Sequence, residues 1–375
     1  MTQTSEIYST NNFSDKQFQT MFLPLRLLQH LLFLSSFHID HNCIRAHNYF
    51  YHTISFIGTL SFVIFYSVNY FEISFKKYSF FINVINTFNG YFLIIAFIVF
   101  YCLNVIQRID SAQMVLYIQK ALRIINYKHH RFFYIWNWVY VLIHFVIFCF
   151  GSVFYCDLQI ICLLYTLIYF DVNISYGLRI MALIQDAMVT WIAEFECYCK
   201  LGVEIGEEKY KEHLERLFDT YLDLVRAFGL FKRIFQFAVL YESIVVFTHL
   251  LLFFEMAIEN YENIKNYPRR FLPLYVMVIL WLIKRIMLII VFSANCEKFY
   301  IAVCCTNETC SSLLKITTDT LYAKRLCKNI RRLNHAVFHK MSAVYIFTID
   351  GHLPQKFCSL IFQFLIIILQ FAILK

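Results

Sequence analysis

The chain has 375 residues and a net charge of +8, and 60% of its residues are hydrophobic, 19% aromatic and only 15% charged. An average soluble domain carries about 25% charged residues, so this composition excludes an ordinary soluble globular protein. The positive charge lies mainly between apolar blocks, where it faces an anionic membrane surface, and it does not indicate nucleic-acid binding.

The N-terminal segment 1–48 is predicted to lie in the cytosol. Its first 20 residues are polar and lack the pattern of a secretory signal peptide. The apolar stretch 21–37 is interrupted by Pro24, Arg26, Gln29 and His30. These breaks favour an interfacial or packed helix over a membrane span.

Seven longer apolar blocks are each long enough to cross the hydrocarbon layer as a helix, which takes about 18 or more residues. The predicted spans are 49–68, 80–106, 133–155, 158–184, 235–256, 271–292 and 357–374. The runs are continuous rather than alternating and the whole chain has only 8 Gly and 4 Pro, so helices are favoured over a β-barrel. The predicted fold is an all-α, polytopic membrane protein.

Lys and Arg residues in the connections predict the orientation, because cytosolic loops carry an excess of them. With a cytosolic N-terminus, 24 of the 33 fall on the inner side, 6 on the outer side and 3 within spans. The C-terminus is therefore predicted to be extracellular, which is opposite to the orientation of G-protein-coupled receptors. An inverted seven-helix metabotropic receptor and a transporter stay open as alternatives, although no internal repeat or broken helix pair indicates a transporter.

The two longest inner connections are 185–234, within the predicted six-span region 49–292, and 293–356. Their charges follow helical periodicity, which predicts helical extensions of the spans into the cytosol. The cysteines that fall there include Cys197, Cys199, Cys304, Cys305 and Cys310, which are predicted to be free thiols. No phosphate loop, nucleophile motif or metal-ligand spacing indicates an enzyme, a cofactor or a metal. His129 and His130, beside Arg131, suit a lipid-headgroup contact better than catalysis.

The last span carries two amides in an otherwise apolar helix. Gln363, Ile367, Gln370 and Leu374 are spaced 4, 3 and 4 residues apart, which places them on one stripe of a helix. Because an unpaired amide in hydrocarbon costs several kcal/mol, the stripe faces either water or a partner helix. A pore wall shared by several copies and a hydrogen bond within one subunit are both compatible with this pattern.

The end of the chain resembles the hallmark of the insect gustatory receptors, which is Thr-Tyr, five hydrophobic residues and Gln-Phe in the seventh span. Residues 365–369 supply the five hydrophobic positions, and Gln370 and Phe371 match the final pair. Gln363 and Phe364 replace Thr and Tyr. The segment 345–350 and residues 23–26 also resemble the family's sequence before span seven and near its start.

The resemblance implies a tetrameric, ligand-gated, non-selective channel for monovalent and divalent cations in the plasma membrane of sensory neurons. The chain would assemble with copies of itself or with related receptors. Small-molecule tastants would open the channel. Region 293–356 would form a shared cytosolic anchor, and 357–375 would line the pore in contact with membrane lipid. Ile367 and Phe371 are candidates for the gate.

Charged residues inside the predicted spans mark a second site. Asp171 and Lys284 each lie 13 residues from the outer start of their spans, or about 20 Å deep, and Glu242 comes to a similar level. We expect Asp171 and Glu242 to meet Lys284 or Arg285 at the base of a cavity. The alternative is that Lys284 and Arg285 extend towards the cytosol while Asp171 caps a packed interface.

A ligand pocket is predicted above this level, in the outer half of the membrane. Aromatic faces with a few polar tips suit small organic ligands, although each such residue is also compatible with simple packing or interfacial anchoring. The candidates are Asn86, Asn89, Tyr155, Tyr165, Tyr169, His249, Tyr275 and Trp281.

Overall fold

The computed structural model describes residues 16–40, 43–74, 80–127, 131–155, 158–201, 207–259, 268–316 and 321–373. Within these ranges the protein is all-α, apart from two short hairpins. The ten helices are α1 (Lys16–Leu31), α2 (Tyr49–Ser74), α3 (Phe80–Ile106), α4 (Arg108–Ile124), α5 (Arg131–Tyr155), α6 (Leu158–Leu201), α7 (Glu207–Glu259), α8 (Pro268–Ile316), α9 (Leu321–Val337) and α10 (Leu353–Ile373). The strands are β1 (Phe37–Asp40), β2 (Cys43–Ala46), β3 (Ser342–Ala343) and β4 (Phe347–Thr348).

Five helices contain, among their described residues, a stretch long and apolar enough to cross a membrane. These are α2, α3, α7, α8 and α10. Helix α5 contributes a shorter apolar stretch, Phe133–Val146, and α6 covers the fourth predicted span without meeting the same criterion in its described part. The structure therefore supports a multi-pass membrane protein with an all-α fold.

Three helices are much longer than a membrane is thick. Helices α6, α7 and α8 have 44, 53 and 49 residues, so each is about 65 to 80 Å long. Each joins an apolar part to a part that carries charges, and the three pack on one another along their length. Their packing forms the centre of the core, which includes Trp191, Tyr221, Phe231, Phe235 and Phe292.

One close approach within this core depends on a glycine. Gly177 on α6 faces Phe235 on α7, and a Cβ atom at position 177 would lie 2.7 Å from Cδ1 of the Phe235 ring. That distance is too short for a real contact, so the two helices pack this closely only because residue 177 has no side chain.

The N-terminal stretch predicted as interfacial or packed is a packed helix. Phe18, Met21, Phe22 and Leu25 on α1 are buried, and the Phe22 ring lies 5.7 Å from that of Phe133 on α5, edge to face. After α1 the chain forms the antiparallel β1–β2 hairpin, which was not predicted.

The second hairpin, β3–β4, was not predicted either, and its turn explains why. Val344 and Tyr345 have φ values of 48° and 61°, and the Ile346 N–H donates to the Ala343 carbonyl at 2.9 Å. The β-turn 343–346 belongs to a hairpin with a three-residue loop. Turns with positive φ at both central residues usually contain Asn-Gly or Asp-Gly there, because a Cβ atom strains this conformation. A Val-Tyr pair gives no such signal.

Candidate functional site

The four charged residues predicted to meet inside the membrane lie together in the structure. Asp171 on α6 forms an ion pair with the Lys284 ammonium on α8. Arg285 Nε lies 3.4 Å from Asp171 Oδ1 and 3.4 Å from Glu242 Oε1 on α7. A single guanidinium is therefore shared between carboxylates on two different helices.

Burial makes the pairing necessary. Asp171, Glu242 and Arg285 are at most 1% exposed, whereas the Lys284 side chain keeps 30% of its surface exposed. Two acids and two bases balance in formal charge, so the group avoids the large cost of an unpaired ion in an apolar interior. Of the two alternatives left open for Arg285, the structure has the paired one rather than extension towards the cytosol.

The charge group also has partners on α5, His144 and Tyr140. His144 Nε2 lies 3.7 Å from Asp171 Oδ2. The Tyr140 hydroxyl donates to the Asp171 carbonyl at 3.0 Å, and Ser175 donates to the Tyr140 hydroxyl at 2.6 Å. His144 lies 11 residues into the third predicted span, so its position in the sequence already indicates a depth close to that of Asp171. The group therefore connects α5, α6, α7 and α8.

Some of the predicted ligand residues lie beside this group. The Trp281 ring lies under the Arg285 guanidinium at 4.4 Å, and the His249 ring meets Trp281 edge to face at 5.1 Å. Arg285 Nη1 and Trp281 Nε1 are buried donors with no hydrogen-bond partner within the described residues. Two N–H groups that can donate to an acceptor oxygen are thus adjacent at the predicted site.

Other predicted ligand residues form a separate aromatic group around α3 and α6. Tyr169 is buried, with its ring 4.5 Å from Phe97, and the Tyr165 ring lies 4.6 Å from Phe62 on α2. This packing matches the simpler alternative, in which these rings fill the core. Asn89 is half-buried on α3. The side chains of Asn86, Tyr155 and Tyr275 lie outside the described part.

Two cavities lie elsewhere in the described part of the chain, and no predicted ligand residue lines either of them. The first, of about 40 Å³, lies beneath the β1–β2 hairpin and is lined by uncharged polar groups including Gln29, Asn104, Gln107 and Asn173. The second, of about 320 Å³, is a groove between α7 and α9 in the predicted cytosolic region. An outer-half ligand pocket stays a prediction.

Helix α10 contacts the rest of the chain through one narrow face. Ile361 is buried and Phe357, Leu365 and Ile368 are half-buried, and the Phe364 ring meets Phe247 on α7 at 5.1 Å. Gln363, Ile367 and Gln370 are exposed. At 100° per residue these three positions point about 120° to 180° away from Ile361 around the helix axis. The amide stripe therefore lies on the side of α10 opposite to its own subunit.

The two remaining positions of the predicted pore wall, Phe371 and Leu374, are not covered. The Phe371 side chain and the whole of Leu374 lie outside the described residues.

Among the described residues there is no group of three or more His, Cys, Asp or Glu that could hold a metal ion. A comparison with family models and with curated proteins finds no match to this chain.

Proposed function

We propose that this protein is a ligand-gated, non-selective cation channel that acts as a chemoreceptor of the gustatory type, with α10 from four copies surrounding the pore. The proposal includes seven spans, a cytosolic N-terminus and a place in the plasma membrane of sensory neurons. The ligand would be a small tastant molecule, and the conducted ions would be monovalent and divalent cations.

One observation carries the channel part of the proposal, and it is the exposure of Gln363 and Gln370 on α10. Both amides turn away from their own subunit, in a part of the helix, residues 360–373, that is otherwise apolar. An amide facing lipid loses its hydrogen bonds to water and gains none, at a cost of several kcal/mol on apolar-transfer scales. A wet passage shared by several copies removes this cost.

The pore wall also accounts for weak ion selectivity. Its described polar groups are uncharged amides, and it offers no acidic ring to choose among cations. Ile367 lies between the two glutamines on the same stripe. Four Ile367 side chains, one from each subunit, would form an apolar constriction from which water is easily expelled. Closing and opening would then need only a small rotation or displacement of α10.

The charge group supplies a place where a ligand could influence α10. Helix α8 carries Trp281, Lys284 and Arg285, and it packs against both α6 and α10. A ligand with an acceptor oxygen near Trp281 Nε1 and Arg285 Nη1 would compete with Asp171 and Glu242 for the guanidinium. If the ligand binds more tightly to one position of α8 than to another, its binding would shift the channel between closed and open states.

The direct test is current recording from cells that express this chain alone, during application of a panel of sugars and bitter compounds. We expect ligand-evoked cation current that persists when G-protein signalling is blocked. A second-messenger response without current would instead support the inverted metabotropic receptor.

A variant pair makes this test specific to the stripe. Replacing both Gln363 and Gln370 with Leu should lower the conductance of single channels, while Leu360→Ala, which changes an exposed residue closer to the start of the same helix, should leave it nearly unchanged. Equal conductance in wild type and the double Leu variant would contradict the proposed pore wall.

A further inference from the structure

Three buried cysteines from three different helices meet in the predicted cytosolic region. Cys199 comes from the end of α6, Cys310 from α8 and Cys327 from α9, and all three are free thiols that are at most 6% exposed. The Cys310 thiol donates a hydrogen bond to the Cys327 sulfur, and Cys199 is close enough to both to interact with them electrostatically. The function proposed above uses none of them.

The arrangement is held by hydrogen bonds close to the thiols. Seven residues further along α9, Asn334 donates to the Asn307 amide oxygen on α8 at 2.8 Å and accepts from the Tyr221 hydroxyl on α7 at 2.6 Å. These bonds fix α9 against α8, which it packs along. Cys310 and Cys327 are therefore held as neighbours by the fold rather than by chance contact of mobile chains.

The three thiols are not equivalent in chemistry. The hydrogen bond from Cys310 lowers the pKa of Cys327, because it stabilises the thiolate. Burial raises the pKa of Cys199 to about 12, and Tyr210 provides its hydrogen bond. Since the thiolate is the nucleophile, Cys327 is the reactive member and Cys310 its nearest partner.

We propose that Cys310 and Cys327 form an oxidation site at which a peroxide makes a reversible disulfide between α8 and α9. The Cys327 thiolate attacks one peroxide oxygen, the O–O bond breaks, and Cys327 becomes a sulfenic acid. The Cys310 sulfur then attacks the Cys327 sulfur, displaces hydroxide and gives its proton to it as water. With hydrogen peroxide, two thiols and one peroxide yield one disulfide and two waters. A dithiol reductant restores both thiols by exchange.

Burial sets the condition for this reaction. Both sulfurs are shielded from solvent, so peroxide reaches Cys327 only through a local opening of the packing around the pair. The disulfide would then hold α9 to α8 and prevent further separation. The site is independent of the proposed channel function, since it needs only the packing of these two helices.

The test treats the purified full-length protein with hydrogen peroxide, blocks the remaining thiols and digests the protein with trypsin without reduction. We expect a linked pair of peptides, 299–315 with 326–328, that disappears after treatment with dithiothreitol. Peptide 299–315 also contains Cys304 and Cys305. For this reason Cys310→Ser must abolish the linked pair, whereas Cys304→Ser, which changes an exposed thiol on the same helix, must leave it intact.

The wild-type digest alone can overturn the proposal, even if a variant fails to fold. Oxidation of the exposed thiols Cys197 and Cys304 without any 299–315 to 326–328 linkage would contradict it. Linkage of Cys327 to Cys199 in place of Cys310 would contradict the assigned pair. Persistence of the linked pair in Cys310→Ser would do the same.

Discussion

Two sets of polar side chains on apolar helices face in opposite directions, one into the subunit and one away from it. Asp171, Glu242, Lys284 and Arg285 turn inward, where each charge finds an opposite charge from another helix of the same chain. Gln363 and Gln370 on α10 turn outward, away from the other described helices. The first group is complete in one copy, whereas the second acquires a polar environment only from water or from further copies.

This difference separates stability from assembly. Removing an inward charge should destabilise a single subunit, because its partners become buried unpaired ions. Removing an outward amide should leave a single subunit intact and change only what the copies form together. The following variants test this division, in order of decreasing effect on the free energy of unfolding.

Asp171→Ala should have the largest effect. It removes the carboxylate that pairs with both Lys284 and Arg285, and breaking a buried pair in this way costs about 3–5 kcal/mol. The measurement is thermal unfolding in one detergent. Glu212→Ala is the control, because Glu212 pairs with Arg216 at 2.6 Å while both side chains are more than 60% exposed, and such pairs contribute less than about 1 kcal/mol. Equal losses for the two variants would refute the inward group as a structural element.

Acid should weaken the docking of the N-terminal hairpin by a smaller amount. Burial, and then the neighbouring His30 and His38, lower the pKa of His47 to about 3, whereas an unfolded histidine has a pKa of about 6.5. Below pH 6.5 His47 therefore takes up a proton in the unfolded chain but not in the folded one. The free energy of unfolding has its full value above pH 6.5 and falls as the pH decreases towards 3. At about pH 5 the loss is about 2 kcal/mol.

The pH effect is measured by comparing unfolding of the wild type and His47→Asn at neutral pH and at about pH 5. The variant lacks the titrating group, so its stability should fall less between the two conditions. The same pH dependence in both proteins would show that His47 does not carry the effect.

Gly177→Ala and Gly229→Ala test the packing that carries the inward group, and they should act in opposite directions. The first places a Cβ against the Phe235 ring and should cost about 1–3 kcal/mol. The second meets nothing within 4 Å in the interior of α7, so it should gain up to about 1 kcal/mol from helix propensity. Unfolding midpoints of the two variants provide the comparison, and a shift of the same sign in both would contradict the close contact of α6 and α7.

Gln363→Leu and Gln370→Leu should have the smallest effect on a single subunit, below about 0.5 kcal/mol, because both side chains are exposed. Unfolding of the monomeric protein in detergent measures it. A loss comparable with that of Asp171→Ala would mean that the amides bond within their own chain.

The sequence predicted the features that follow from helical geometry. A fixed rise per residue brought Asp171, Glu242, Lys284 and Arg285 to one depth, and the helical period placed Gln363 and Gln370 on one side of α10. Both predictions require only the positions of these residues along apolar helices. The seven-span count stays a prediction, since five helices qualify among the described residues.

Features that depend on tertiary packing were missed. Sequence gave no signal for the β3–β4 turn, because Val344 and Tyr345 adopt positive φ only where the surrounding structure imposes it. The meeting of Cys310 with Cys327 follows from how α9 folds back along α8, which no local pattern encodes. The cavity beneath the β1–β2 hairpin likewise arises from several elements at once.

The central claim is that the amide side of α10 faces a shared aqueous passage. In a Cys358→Ser background, which removes the exposed native thiol of α10, Gln370→Cys and Leu369→Cys place a thiol at nearly the same depth but on sides of the helix about 100° apart. Ligand-evoked current is recorded before and after a charged, water-soluble thiol reagent is applied from the extracellular side. The account predicts that the reagent suppresses current in Gln370→Cys and leaves Leu369→Cys unchanged. Suppression in Leu369→Cys alone, or no reaction at Gln370→Cys while its ligand-evoked current persists, would contradict it.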